Sequence, residues 1–105
     1  MLTEIVYKGA DNPNSVTFYE DNVAMDFSAT TRMLLTFTGS SAVVDTDISA
    51  IIDWSSGGGL VVFNLNDISI SSGSYTATLK VYDAAHADGQ VISHALGAEI
   101  VFRFA

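Results

Sequence analysis

Two histidines and many serines are the residues of this sequence that could take part in hydrolytic catalysis. A Ser–His–Asp hydrolase needs these three side chains to meet in space, whatever their order along the chain. His86 and His94 fall in or beside segments predicted to be loops, and no Gly-x-Ser-x-Gly nucleophile motif occurs in the sequence. Two surface histidines without a catalytic role are the favoured interpretation, and the sequence predicts that the protein is not an enzyme.

Acidic side chains are the next candidates, because paired carboxylates hydrolyse glycosides and hard oxygen ligands bind calcium. Asp45 and Asp47 lie close together in the sequence, and Asp11–Asn14 is a second cluster of oxygen donors. Neither segment matches the calcium-binding EF-hand pattern. Chance pairs among twelve acidic residues and side-chain capping of turns account for both clusters. We therefore predict no metal and no cofactor.

The composition excludes several other classes of protein. The sequence has no cysteine, so disulfides, thiol nucleophiles and cysteine-based metal sites are ruled out. The net charge is −8, which argues against binding to nucleic acid or to an anionic membrane. Its only basic residues are Lys8, Arg32, Lys80 and Arg103. Met1–Glu4 lacks the features of a signal peptide, so we expect the chain to be made and folded in a cytoplasm.

The elements that position these residues are predicted to be β-strands. In Gly73–Tyr82, apolar and polar side chains alternate with the period of a half-buried antiparallel strand. Ser55–Gly59 lacks the lysine of a phosphate-binding loop and is predicted to be a hairpin tip, and Asp88-Gly89 is a candidate two-residue turn. Shorter strands are predicted around Leu2–Tyr7, Val16–Phe18, Met33–Thr38, Ala50–Trp54, Leu60–Leu65 and Ile100–Phe104.

Seven or eight short strands separated by evenly spaced turns are typical of an antiparallel two-sheet β-sandwich, either immunoglobulin-like or jelly-roll-like. No linker divides the sequence, so residues 1–105 are predicted to form a single domain. The predicted core consists of the inward-facing side chains of these strands: Val16, Phe18, Met33, Leu35, Phe37, Ile52, Trp54, Val61, Phe63, Leu65, Tyr75, Ala77, Leu79, Val81, Ile100 and Phe102.

The segment Ile68–Asp83 resembles a pattern found in bacteriophage structural modules. There, a loop with Ser-Gly-x-Tyr, here Ser72–Tyr75, leads into a long strand near the end of an immunoglobulin-like or baseplate-adaptor sandwich. The order of the other elements also matches that of these modules. These elements are the strand with Asp53-Trp54, the Leu60–Leu65 strand, Asp88-Gly89 and the final strand. The resemblance covers about residues 30–104, whereas the Cys…Trp…Cys pattern of antibody domains is absent.

The resemblance implies a virion structural protein that binds other virion proteins and assembles as a homo-oligomer. Its place would be that of a capsid decoration, a head-fibre or neck component, or a tail or baseplate adaptor. Residues 1–14 are interpreted as an N-terminal arm that pairs with a neighbouring subunit's sheet edge. The candidate interface residues are Leu2, Ile5, Tyr7, Tyr19 and Tyr82.

Two other functions stay open at the level of the sequence. A carbohydrate-binding or adhesion module would use exposed tyrosines to hold a surface glycan. A small hydrolase would need a cleft that joins His86 or His94 to a serine and an aspartate. Ordinary cross-strand packing explains the outward-facing tyrosines as well as a binding interface does. The sequence therefore does not decide whether these tyrosines pack within the sheet or bind a partner.

Overall fold

The computed structural model describes residues 2–92 and 100–105, and all regular structure in these residues is β-strand. The predicted all-β class is therefore confirmed. No helix long and apolar enough to cross a membrane occurs in this part of the chain. The described strands are β1 (Leu2–Val6), β2 (Asn14–Thr17), β3 (Tyr19–Glu20), β4 (Val23–Ala24), β5 (Arg32–Phe37), β6 (Val43–Asp45), β7 (Ile52–Asp53), β8 (Leu60–Phe63), β9 (Gly73–Asp83), β10 (His86–Ile92) and β11 (Ile100–Phe104).

The larger sheet is built around β9, the segment with the clearest alternation in the sequence. β5 pairs with one edge of β9, while β10 and β11 pair one after the other along its opposite edge. β6 and β1 complete the sheet, whose order is β1-β11-β9-β5-β6 with β10 beside β9. The inward-facing Leu79 and Val81 of β9 are buried in the hydrophobic cluster.

The larger sheet is mixed, which corrects the prediction of a purely antiparallel fold. β1 runs parallel to β11, with Leu2 opposite Ile100 and Val6 opposite Phe104. Every other strand pair that the structure describes is antiparallel. Alternation within a strand shows which side chains are buried, but the direction of a partner strand depends on how distant segments meet. Residues 2–6 of the expected arm thus form an edge strand of the chain's own sheet.

Two smaller sheets accompany the larger one. β2, β8 and β7 form a three-stranded sheet, and β3 pairs with β4 in a two-stranded hairpin. The ring centroids of Phe63 in β8 and Phe102 in β11 lie 5.4 Å apart in an edge-to-face contact. Side chains from the three-stranded sheet and from the larger sheet therefore belong to one hydrophobic cluster.

Most of the predicted core is confirmed. Of the sixteen predicted residues, all but Trp54, Tyr75 and Ala77 are buried, and these three are partly buried against the same cluster. The structure adds six buried hydrophobic residues that the predicted core did not contain, and several of them lie in loops or at strand ends. These additional residues are Val6, Phe27, Val44, Ile70, Ile92 and Phe104.

The turn between β9 and β10 lies at Ala84-Ala85, so the prediction of a hairpin turn at Asp88-Gly89 is wrong. The carboxylate of Asp83 accepts hydrogen bonds from the main-chain N–H groups of Ala85 and His86, at 3.0 and 2.8 Å. These bonds stabilise the earlier turn. Asp88-Gly89 instead falls where the register of β10 against β9 shifts, a β-bulge that a left-handed glycine accommodates.

Candidate interaction surfaces

The outer face of the larger sheet is the side that points away from the hydrophobic cluster. Successive strand residues point to opposite faces, and Leu79 and Val81 are buried, so Lys80 and Tyr82 point outward. The cross-strand register extends this assignment to the neighbouring strands. The outer-face residues include Ile5, Arg32, Val43, Lys80, Val91 and Arg103.

This outer face carries an uneven share of the charge. Arg32, Lys80 and Arg103, three of the four basic residues of the protein, point outward from it. Asp45 is the one acidic residue that the register places on this face within residues 2–92 and 100–105. The outer face is thus locally cationic although the protein as a whole has a net charge of −8.

Arg32 is already paired. Its Nε and Nη2 donate to the two carboxylate oxygens of Asp45 at 2.8 and 2.5 Å, and Asp47 lies 3.3 Å from Nε. The guanidinium carbon lies 4.6 Å from the centroid of the Tyr82 ring, a cation–π distance. The bonds from Arg32 lower the pKa of Asp45 to about 2. The acidic pair that the sequence offered for metal or glycoside chemistry therefore binds an arginine.

Lys80 and Arg103 differ from Arg32, because neither forms a salt bridge in the part of the chain that the structure describes. Their cross-strand neighbours include exposed apolar side chains. Val91, opposite Lys80, is 60 % exposed, and Ile5, opposite Arg103, is 39 % exposed. The outer face thus combines uncompensated cations with exposed aliphatic side chains, a mixture that occurs where proteins bind other proteins.

The β3–β4 hairpin has the opposite charge. Its tip, Asp21-Asn22, has φ values of 51° and 64°, the left-handed conformation of a tight two-residue turn. Tyr19 is 43 % and Val23 is 67 % exposed, and Glu20 and Asp21 are exposed beside them. A cavity of about 190 Å³ separates this hairpin from β10. Its lining consists of Tyr19, Glu20, Met25, Gln90, Val91 and Ile92.

The candidate interface residues from the sequence are divided among these regions. Ile5 and Tyr82 lie on the outer face, where Tyr82 is half-buried below the guanidinium of Arg32. Tyr19 belongs to the β3–β4 hairpin, and Tyr7 is exposed just after β1. Leu2 is different, because its side chain packs against the hydrophobic cluster. The tyrosines therefore lie on separate elements.

Asn66 is a functional residue of the fold that sequence reasoning missed. It is the buried polar residue of the described chain, and its side-chain amide donates to the carbonyls of Tyr7 and Asn12 at 3.0 and 3.1 Å. The main-chain carbonyl of Asn66 accepts a hydrogen bond from the main-chain N–H of Gly9 at 2.8 Å. Asn66 thereby holds the loop after β1 in place. An asparagine within a turn-rich segment offers no sequence signal for such long-range bonds.

His86 belongs to the β9–β10 turn. Its Nδ1 lies 2.9 Å from the Asp83 carboxylate, and this hydrogen bond lowers the pKa of Asp83. His94 lies outside the described residues. Within residues 2–92 and 100–105, no group of three or more His, Cys, Asp or Glu side chains is arranged to hold a metal ion.

A second depression, of about 260 Å³, lies between the segment before β5 and the β7–β8 connection. Trp54 contributes a half-buried indole to it. The Asp26 carboxylate accepts from the main-chain N–H of Ser28 at 2.9 Å, and this bond lowers the pKa of Asp26. The remaining lining comes from Phe27, Ser55 and Gly57.

No protein-family model, no curated protein and no solved structure matches this chain.

Proposed function

We propose that this chain is a non-enzymatic structural protein of a bacteriophage virion, and that it binds other virion proteins through the outer face of its larger sheet. The observation that carries this proposal is the composition of that face. Ile5, Val43 and Val91 are exposed there. Ile5 lies opposite Arg103 and Val91 lies opposite Lys80, and no described carboxylate neutralises either cation. An acidic partner with apolar side chains would bury these aliphatic groups and pair these cations.

The strand order supports the finer fold proposal, a two-sheet sandwich of immunoglobulin-like topology. Variable-type immunoglobulin domains place strands G, F, C and C′ in one sheet and B, E and D in the other. The order β11-β9-β5-β6 in one sheet and β2-β8-β7 in the other fits this arrangement. The contact between Phe63 and Phe102 fits two sheets packed on a shared core.

Binding through the face replaces the N-terminal arm that the sequence suggested. β1 pairs with β11 of the same chain, and Val6 is fully buried. The Asn14 side-chain amide donates to the carbonyl of Ile5 at 2.9 Å, which occupies part of the outer edge of β1. A neighbouring strand would have to displace this bond in order to pair there. The open face requires no such rearrangement.

The proposal has a direct test in purified particles from cells that carry the gene. We expect quantitative mass spectrometry to find the chain at a fixed ratio to the major capsid or tail protein. Its absence from the particles would overturn the virion assignment. This measurement tests where the protein is, independently of which face it uses.

The binding face has a separate test with matched substitutions. Ile5→Asp places a charge on the outer face, whereas Ile48→Asp makes the same change at a residue that is 85 % exposed in the turn after β6. We expect the tagged wild-type chain and Ile48→Asp to recover the same particle proteins from disassembled virions. We expect Ile5→Asp to lose them. Equal recovery by both variants would contradict binding through the outer face.

A carbohydrate-binding function is the second candidate, and the depression beside Trp54 favours it. An aromatic ring, an ionised carboxylate and serine hydroxyls are groups that hold sugars. This assignment moves the predicted glycan contact from the tyrosines to Trp54. Nuclear magnetic resonance titration with neutral hexoses and short oligosaccharides tests it. Shifts confined to residues 26–28 and 54–57, and lost in Trp54→Ala, would support this second function over the first.

A further inference from the structure

We infer that two copies of this chain form a two-fold symmetric dimer, in which the β3–β4 hairpin of each copy packs on the outer face of the other and Glu20 pairs with Lys80 of the second copy. Two features of the described residues favour a second copy as the partner. These are the continuity of the hairpin with the outer face, and the opposite charges of the two.

The hairpin and the outer face form one continuous patch. Tyr19 and Glu20 of the hairpin line the same cavity as Val91 of β10. Val91 is in turn directly opposite Lys80 across the β9–β10 pair. An acidic residue, an apolar centre of Tyr19 and Val91, and a basic residue therefore follow one another across the surface.

Such a patch is complementary to itself. In a two-fold interface, if residue i of one copy contacts residue j of the other, then j of the first copy contacts i of the second. A two-fold axis through the apolar centre brings Glu20 of each copy toward Lys80 of the other. The same rotation places Tyr19 of each copy against Val91 of the other. The cavity between the hairpin and β10 is where these apolar side chains would be received.

Charge also selects this orientation against others. The net charge of −8 means that most pairs of surfaces on two copies repel each other. Three of the four basic residues lie on the outer face, and Arg32 among them is already paired with Asp45. Among the described residues, Lys80 forms no salt bridge, and it lies opposite Val91, which lines the cavity beside the hairpin. It is therefore the cation that a second copy's hairpin can reach in a two-fold arrangement.

The expected affinity is moderate. The apolar centre contains few large side chains, and the charge pair lies near solvent. We therefore expect a dissociation constant of about 1–100 μM at low salt. Because ions screen exposed charge pairs, we expect the dimer to weaken as the salt concentration rises.

Sedimentation equilibrium of the full chain at low ionic strength tests the dimer with a charge exchange. Lys80→Glu and Glu20→Lys each place like charges together twice in a symmetric dimer, so we expect each to raise the dissociation constant by about tenfold or more. The double variant restores both pairs in reverse and is expected to return to within about threefold of wild type. Asp67→Lys changes an exposed acid outside the patch and is the matched control. Circular dichroism verifies that each variant is folded.

Three outcomes would overturn the inference. The first is a wild-type chain that stays monomeric at about 500 μM. The second is a single variant that dimerises as tightly as wild type. The third is a double variant that does not regain the affinity that both single variants lose. The inference shares the outer face with the proposed function, but the two fail separately. A chain that is monomeric in solution and still occurs in virions, with binding lost in Ile5→Asp, would refute the dimer and leave the proposed function standing.

Discussion

The two faces of the larger sheet consist of the same strands in the same register, but they are stabilised by different interactions. On the inner face, the Phe37 ring meets the rings of Phe102 and Phe104 edge to face, at centroid distances of 6.2 and 5.7 Å. On the outer face, Arg32 is held by the Asp45 carboxylate. Burial of the aromatic rings stabilises the fold, whereas solvated charge pairs contribute little. The outer face can therefore vary for binding without loss of the fold.

The largest expected effect comes from the inner face. Phe102→Ala removes a fully buried ring that contacts Phe37 and Phe63, and we expect it to lower the free energy of unfolding by about 4 kcal/mol. Val101→Ala, at the adjacent half-buried outward position, is expected to lower it by less than about 1 kcal/mol. Urea denaturation of both variants measures the difference. Similar losses would show that the two faces contribute equally to stability, contrary to this comparison.

The second-largest effect on stability is expected at Gly89, which lies against the Tyr82 ring on the outer face. Gly89 has a φ of 81°, and a Cβ added there would lie 2.8 Å from a carbon of the Tyr82 ring. Gly58 has a φ of 65° with open space around it. Both Gly→Ala substitutions place a side chain on a residue with a left-handed backbone conformation, which is strained. Only Gly89→Ala also displaces the Tyr82 ring. We expect unfolding free energies lower by about 2 kcal/mol for Gly89→Ala and about 1 kcal/mol for Gly58→Ala.

Thermal or urea unfolding of these two glycine variants separates backbone strain from crowding. If Gly58→Ala were the more destabilised of the pair, the contact between Gly89 and the Tyr82 ring would have no part in stability. A fluorescence or proton chemical shift change at Tyr82 is expected in Gly89→Ala alone, since only that variant moves the ring.

The smallest expected effect is the pH dependence of the Asp45–Arg32 pair. The pKa of Asp45 is about 2 in the folded protein, below its ordinary value of 3.8, chiefly because Arg32 donates to the carboxylate. The ionised carboxylate therefore stabilises the fold above about pH 4, and this contribution disappears as the pH falls toward about 2. Asp45→Asn removes it. We expect the stability gap between wild type and Asp45→Asn to be largest near neutral pH and to close toward pH 2.

Chemical denaturation across this pH range measures that gap. The other acids whose pKa values are lowered, among them Asp26 and Asp83, titrate in both proteins, so the difference between the curves isolates Asp45. A gap that stays constant down to pH 2 would contradict the role of the ionised pair.

The part of the fold that was predictable from sequence is the part that depends on local alternation. The Gly73–Tyr82 segment has the predicted inward and outward sides over most of its length, with Leu79 and Val81 buried. Tyr75 and Ala77 are only partly buried against the hydrophobic cluster. Phe27 and Ile70 were not in the predicted core, because both lie in segments between strands.

The candidate sites were predictable to a smaller extent. Tyr19 and Ile5, two of the candidate interface residues, are indeed exposed. The sequence could not show that Asp45 binds Arg32 or that Asn66 holds the loop after β1. These partners come together only after strands that are distant in sequence have paired.

The sequence by itself determined the all-β class, the charge and the two sides of the central strand, because side-chain alternation follows from the geometry of a single extended backbone. The tertiary structure decided that β1 runs parallel to β11, that three of the four basic residues share one face, and that the acidic hairpin lies beside it. Strand order and direction depend on which distant segments together bury the most apolar surface while satisfying their hydrogen bonds. No local pattern in the sequence contains that information.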